Sequence, residues 1–450
     1  MKKYHFLSLF LILALLISML SVPAMALEDP EPRCAAAIIV DGDHDQVLYE
    51  KNGYERMFPA SITKIMTSLV VLDALERGDI TLDTPVTATA AAINIPYDAS
   101  NAGIKEGEIL TVEQLLYCDM VSSACEACNI LGEAVAGSVE AFVEKMNEKA
   151  AELGMKNSHF VNAHGLHDPN HYTTAYDITI MAREAMKNEL FRTVVSTTKY
   201  VIPATNMSGE RTIRTTNSLI DNWNLAEYTY DKCIGIKTGF TSAAGRCLAS
   251  AAVDDDGRTY YCVVLGAENV KEEDGTTTYY AFKESKRLLE WAFDNFQRTV
   301  LMDENLVIQE VPVSVADTDH VLVQPEGKVE QTMPKDYDPD KAELVIDLPE
   351  SVEAPVEKNQ KLGSVTLIYE GEELGTLDLK TVVGVERSET KELVQKVEET
   401  VEQWWVKALI IAVAVLLLLL IIVISILISG RRRDRNRYGK YSYSGRKSRY

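Results

Sequence analysis

From Ala408 to Ser429 the chain carries no charged residue. A run of that length exceeds the ~20 apolar residues a helix needs to cross a bilayer. Inside hydrocarbon every backbone amide must be satisfied within its own segment, so such a run has to be helical. Trp404 and Trp405 stand just before it, where aromatic rings favour the membrane–water interface, and Arg431, Arg432 and Arg433 follow it. Basic flanks stay on the cytoplasmic side. The pattern predicts one transmembrane helix over residues 408–429 and a basic cytoplasmic tail over 430–450. Everything before the span is then placed outside the cell membrane. An amphipathic stalk helix is expected over 387–407, with Leu393, Val397, Val401 and Trp404 at helical spacing.

The other end of the chain agrees with that orientation. Lys2 and Lys3, an apolar core from Phe6 to Leu20, and Ala24-Met25-Ala26 have the three parts of a secretory signal peptide, assigned to residues 1–26. Pro23 and the small residues before Leu27 argue against a second anchor. The formal net charge is −22. Because the tail is basic, the exported body is more acidic still, which excludes a nucleic-acid binder. A hydrophobic content of 46% is enough for a sizeable core.

Within the body, Pro59-Ala60-Ser61-Ile62-Thr63-Lys64 opens a run with helical apolar spacing and no Gly or Pro. Residues three apart share a helix face, so the Lys64 amine is brought to the Ser61 hydroxyl. A neutral amine there can take the serine proton and make a nucleophile of it. The helix N-terminus favours an oxyanion at the same place. Ahead of this helix, Ala36 to Val40 and Gln46 to Glu50 read as a strand pair across Asp41-Gly42-Asp43-His44-Asp45. Thr81 to Leu110 reads as loop with short elements. Thr111 to Ala136 reads as helix, with Thr111 and Gln114 as a capping box and a break at Ser122 to Glu126. Val139 to Leu153 and Ile178 to Met186 are further helices, the latter capped by Thr174 or Asp177. Between Arg211 and Leu248 the chain turns to strand, carrying Ile234 to Gly239; Leu248 to Val253 and Tyr260 to Leu265 are two more. Phe282 to Phe296 is a helix with Leu288, Leu289, Trp291 and Phe293 inward. Strands, then helices, then strands imply an α+β domain built on an antiparallel sheet. Beyond Val300, alternation at Val307, Val311, Val313 and Val315 and short apolar runs near His320, Leu344, Val365 and Leu377 predict a small all-β domain.

Three pieces stand in order along the body: Ser61-x-x-Lys64, Ser123-x-Cys125 and Lys237-Thr238-Gly239. S-x-x-K followed by a serine motif and K-T-G is the set of class A β-lactamases and penicillin-binding proteins. Each piece has a chemical task. Lys64 deprotonates Ser61. Ser123 relays a proton to the leaving amine. Lys237 sets positive charge beside the Ser123 network and the substrate carboxylate. Gly239 lets the substrate backbone lie against the strand. Four stretches narrow the likeness. Pro59 to Lys64, Asn162-Ala163-His164-Gly165-Leu166, Tyr172 to Ala175 with Asp177, and Gly235 to Gly239 resemble the serine-type D-alanyl-D-alanine carboxypeptidases, the low-molecular-mass penicillin-binding proteins.

The resemblance covers roughly residues 35–385. It implies a β-lactamase/transpeptidase-like catalytic domain over 27–299, with the sheet flanked by helices, and a small β-sandwich domain over 300–386. It implies removal of the terminal D-alanine from peptidoglycan pentapeptides through an acyl-serine intermediate, β-lactams as inhibitors, and no cofactor or metal. Catalysis would fall to Ser61, Lys64, Ser123 and Lys237. Substrate binding would fall to Cys125, Lys237, Thr238, Gly239 and Phe240, with the backbone N–H groups of Ser61 and Phe240 as oxyanion hole. The chain departs from the pattern twice. Cys125 stands where the family usually has Asn, and a thiol hydrogen-bonds more weakly than an amide. The arginine often found beyond the K-T-G strands is missing from Glu268 to Glu272, which leaves the substrate carboxylate to Thr238 and Lys237.

Other patterns have plainer explanations. His164, His167 and His171 lie close enough in sequence to suggest a metal site, but the resemblance places them in an ordinary connecting loop near the site. Cys125-x-x-Cys128 lacks the βαβ surroundings of a redox motif. Cys34, Cys118, Cys233, Cys247 and Cys262 mostly lie in apolar runs and read as core thiols. Two rival functions remain. A β-lactamase needs a water-activating Glu motif that is not seen here. A non-catalytic penicillin sensor or scaffold needs a larger cytoplasmic output domain than the tail provides.

Overall fold

Ala36-Ala37-Ile38-Ile39-Val40 is apolar at every position, and a strand apolar on both faces has to be covered on both. In the computed structural model this segment is strand β1 (Ala36–Asp41), buried throughout. The described residues are 27–223, 225–305 and 309–438, with side chains as far as 429. The signal peptide expected over 1–26, Val307 and most of the basic tail lie outside them.

The chain divides into two compact units. The first runs to Thr299 and includes Thr332–Tyr337. Its centre is a five-stranded sheet of β1, β2 (Val47–Lys51), β3 (Cys233–Thr241), β4 (Gly245–Val253) and β5 (Thr259–Ala267), in the order β2-β1-β5-β4-β3. Every neighbouring pair is antiparallel. Successive strand residues point to opposite faces. Ala36, Ile38 and Val40 of β1, with Tyr261, Val263 and Leu265 of β5, therefore enter one core. Ala37 and Ile39, with Tyr260, Cys262 and Val264, enter the other.

The larger core is covered by helices α1 (Lys64–Glu76), α2 (Val112–Met120), α3 (Cys125–Ala136), α4 (Val139–Glu152), α5 (Ala175–Lys187) and α6 (Glu189–Ser196). The smaller core is closed by α7 (Tyr280–Asn295), which buries Leu288, Leu289, Ala292 and Phe293. Trp291 is only half-buried. Helix α1 is apolar almost all round, and such a helix belongs in the middle of a core. Ile65, Met66, Leu69, Val70, Val71 and Leu72 are all buried. The capping box read at Thr111 forms, its hydroxyl accepting from Gln114 N while the Gln114 side chain accepts from Thr111 N.

Two local readings change. The break between α2 and α3 is shorter than expected, because Cys125 and Glu126 already belong to α3. Helix α6 and the short strand Lys199–Ile202 are new, the latter pairing with Arg211–Arg214, where the chain is expected to turn to strand. Helix α6 is two turns long and holds Thr193, Val194 and Val195, β-branched residues that favour strand. What makes it helical is the Asn188 cap, which accepts from Phe191 N, and the burial of Phe191, Val194 and Val195.

The second unit is all-β and then helical. Its six-stranded sheet runs Ala342–Asp347, Lys361–Tyr369, Glu372–Thr381, His320–Pro325, Gln309–Ser314, Val352–Glu353. The last pairing is parallel and the others antiparallel. Val311, Val313, Val321, Val323, Val365, Leu367 and Leu379 are among its buried residues, as the alternation predicts. Helix α8 (Glu389–Glu402) follows, then α9 (Trp404–Tyr438). Trp404 opens α9 and does not close the stalk. Leu393, Val397 and Val401 are exposed on α8. The stretch Trp404–Ser429 is long and apolar enough to cross a membrane.

Candidate active site

The chain enters α1 through one turn of 3-10 helix, Ala60–Thr63, which carries Ser61. Lys64 is the first residue of α1 and is fully buried. Its Nζ lies 3.2 Å from Ser61 Oγ, 2.7 Å from His164 O and 3.5 Å from Cys125 Sγ. The amine therefore meets the serine at hydrogen-bonding distance.

The Asn162–Leu166 loop holds this turn in place. Thr67 Oγ1 donates to Ala163 O at 2.5 Å. Asn162 Oδ1 accepts from Gly165 N at 2.7 Å. Gly165 has φ +84°, and a Cβ there would lie 1.9 Å from Ala60 O, so only glycine lets the loop close on the serine turn. His171 Nδ1 accepts from Val161 N, and burial pulls this ring down to about 4, so it is neutral. Its hydrogen is then on Nε2, which faces Thr63 Oγ1 at 2.8 Å, and that hydroxyl in turn donates to Ala60 O. Burial also pulls His164 down to about 3. The motif that carried the resemblance thus serves to clamp Ser61 and Lys64.

Ser123 lies between α2 and α3 with φ 61°, a left-handed conformation uncommon for a residue with a side chain. Holding it costs on the order of 1–3 kcal/mol, which the surrounding structure must supply. Among the described residues its hydroxyl makes no hydrogen bond. Cys125 N donates to Ser100 O, and the Glu126 carboxylate accepts from Ala102 N and Ile104 N. These bonds tie the 99–104 loop to α3 beside the site.

Strand β3 is an edge of the sheet and passes close to the serine turn. A Cβ on Gly239 would lie 3.1 Å from both Ser61 N and Pro59 O. Lys237 is buried, with Nζ donating to Thr238 O at 3.0 Å. The Thr238 hydroxyl lies 2.5 Å from that of Thr216. Phe240 follows and is half exposed. A cavity of about 710 Å³ opens here, lined by Ser61, Ser123, Cys125, Thr238, Gly239 and Phe240 among others.

The ionisable groups behind the cavity include one that sequence reading missed. Asp119, on α2, is buried and accepts from Ser68 Oγ and Cys128 Sγ, each at 3.0 Å. Burial pushes its carboxyl up to about 6 against the opposing pull of Lys64. Lys237 is pulled down to about 7 by burial and by the Lys64 charge. At Lys64 burial also disfavours the ammonium, but Cys128, Cys125 and Asp119 outweigh it and push the amine up. The Cys128 thiol is itself raised well above its ordinary value, so at neutral pH the negative partner is Asp119. The available signal was an acid set among Leu115, Leu116, Met120 and Val121, the residues of the apolar face.

The sequence profile described as D-alanyl-D-alanine carboxypeptidase matches residues 24–269, and that of the penicillin-binding protein 5 C-terminal domain matches 296–387. D-alanyl-D-alanine carboxypeptidase DacF of Bacillus subtilis is 32% identical over 75% of this chain and 82% of its own. DacD of Escherichia coli is 28% identical over 80% and 88%. The crystal structure of penicillin-binding protein 5 from Haemophilus influenzae covers 80% of this chain and all of its own, at 27% identity and a TM-score of 0.62. With the serine turn, the loop that clamps it and the edge strand in place, the chain belongs to the D-alanyl-D-alanine carboxypeptidase family.

Proposed function

We propose that the protein removes the terminal D-alanine from peptidoglycan pentapeptide stems through an ester on Ser61. The observation that carries this reading is Lys64 Nζ at 3.2 Å from Ser61 Oγ, beside an edge strand so near that a Cβ on its Gly239 would lie 3.1 Å from Ser61 N. A peptide extended along β3 pairs with the free strand edge. Its scissile carbonyl then faces the N–H groups of Ser61 and Phe240, which stabilise the developing oxyanion. Lys64, in its neutral form, takes the Ser61 proton as the hydroxyl oxygen attacks. Ser123 passes a proton to the departing amine of D-alanine, and Lys237 supplies the positive charge that favours this transfer. Cys125 and Thr238 flank the bound peptide. Water then hydrolyses the ester and frees the shortened stem. A β-lactam, whose strained amide occupies the same place, acylates Ser61 in the same way.

The domain partition, the single membrane pass with the peptidase unit outside, and the role of α9 as anchor belong to the same proposal. Detergent-solubilised full-length protein is expected to release D-alanine from a pentapeptide and to take up a labelled penicillin at Ser61. Ser61→Ala should lose both activities. Lys64→Ala should slow acylation by about 10²–10⁴-fold, the usual cost of removing a general base. Labelling of Ser61→Ala at another residue would sink the assignment.

A further inference from the structure

Arg246 is the first residue after the β3–β4 turn glycine and lies opposite Phe240 in the strand register. It lines the same cavity as Ser61. Its guanidinium lies over the Phe240 ring, 4.0 Å from the centroid. With its amide oxygen turned toward it, Asn269 accepts from Nε and Nη2 at 3.3 Å. Among the described residues no carboxylate pairs with Arg246; Asp98, on the loop ahead of α2, lines the cavity without reaching it. A guanidinium held over an aromatic ring and fixed by one amide is pre-organised, so little freedom is lost when an anion docks.

The direction of the bound peptide says which anion that is, and here the inference rests on the proposed function. A Cβ on Gly239 would lie 3.1 Å from Ser61 N, so β3 presents Lys237 and Thr238 to one side of the serine and Phe240 and Thr241 to the other. The leaving D-alanine goes to the Lys237 side, where it receives its proton. The retained stem then runs past Phe240, and each residue of an extended chain advances it by roughly 3.3 Å. We infer that Arg246 binds a free side-chain carboxylate on the stem residue that precedes the two D-alanines. The enzyme would thereby favour stems carrying an acidic third residue over those in which that carboxylate is amidated.

The test compares two pentapeptides that both end in D-Ala-D-Ala and differ only in whether the third residue's side-chain carboxylate is free or amidated. D-alanine release by full-length protein gives kcat/KM for each. A charge-assisted bond at a partly exposed site should favour the free acid by about tenfold. The ratio should fall toward one in Arg246→Gln, stay intermediate in Arg246→Lys, and shrink with added salt in the unmutated protein. A ratio of one in the unmutated protein, or a ratio unchanged in Arg246→Gln, overturns the inference while leaving the carboxypeptidase reading intact. Equal loss on both peptides in Arg246→Gln would assign the arginine to the leaving D-alanine carboxylate and also overturn it. Release from neither peptide by the unmutated protein overturns the carboxypeptidase reading, and this inference with it.

Discussion

Lys64, Lys237 and Asp119 are buried together, and their protons belong to the group more than to any one residue. A neutral Lys64 is needed to activate Ser61, and Cys128, Cys125 and Asp119 push its amine up, so acylation should rise with pH as Lys64 loses its proton. Asp119 supplies the negative charge that holds a proton on the lysines. Asp119→Asn removes it, and loss of an opposite charge lowers a neighbour's value by about a unit or more. The low-pH limb of the acylation profile should therefore move down by about one pH unit, measured with a labelled penicillin. The same variant has a signature in stability. The folded-state value of Asp119, about 6, lies above the ordinary 3.8, so this carboxyl favours folding only while protonated. Its contribution is whole below 3.8 and is lost as pH rises through about 6. Relative to the unmutated protein, Asp119→Asn should gain stability between pH 4 and 7 in denaturant melts at stepped pH. A profile and melts that do not move would show that Asp119 is not coupled to the lysines.

At the level of elements, the site is a meeting of three: the 3-10 turn before α1, the loop 162–166 and the edge strand β3. Gly165 is where the first two touch, and its positive φ and the 1.9 Å approach of a Cβ to Ala60 O leave no room for a side chain. Gly165→Ala should shift the serine turn and break the 2.7 Å bond from Lys64 to His164 O. Acylation should fall by on the order of 10²-fold, as small misplacements of reacting groups do. Gly154 is the internal comparison, since its φ is +78° but nothing lies within 4 Å of a Cβ there. Gly154→Ala should cost about 1 kcal/mol of stability through strain alone and leave the acylation rate in place. Equal rates for the two variants would show that the loop does not set the position of Ser61.

For the whole molecule, the stretch Trp404–Ser429 predicts that the protein resists alkaline extraction from membranes, as a spanning helix does. A chain ending at Arg387, without α8 and α9, should appear in the soluble fraction and still take up labelled penicillin at Ser61. If it stays with the membrane, another segment holds it there. The exposed apolar face of α8, with Leu393, Val397 and Val401, makes an intermediate chain ending at Gln403 informative. An amphipathic helix lying at the surface gives partial, salt-sensitive membrane binding, whereas a simple spacer gives none.

Much of this was legible in the residues because it depends on near neighbours. The apolar run of α9, the capping box at Thr111, the alternation that places Val311 and Val313 inward, and the three-residue step from Ser61 to Lys64 are all settled within a turn or a few strand positions. The ordered set of Ser61-x-x-Lys64, Ser123-x-Cys125 and Lys237-Thr238-Gly239 then assigned Ser123 and Lys237 to the same site. What only the tertiary structure decided are pairings across long stretches of chain. His164 O reaches Lys64 from 100 residues away, and Asp119 meets Ser68 across 51. Helix α6 forms against the local preference of its Thr and Val residues because its apolar face is buried. Arg246 is an ordinary surface residue in the sequence, and it becomes part of the cavity because the turn after β3 folds it back over Phe240. Local preferences and spacing are properties of the chain itself, whereas these contacts exist only once packing has brought distant segments within a few ångströms.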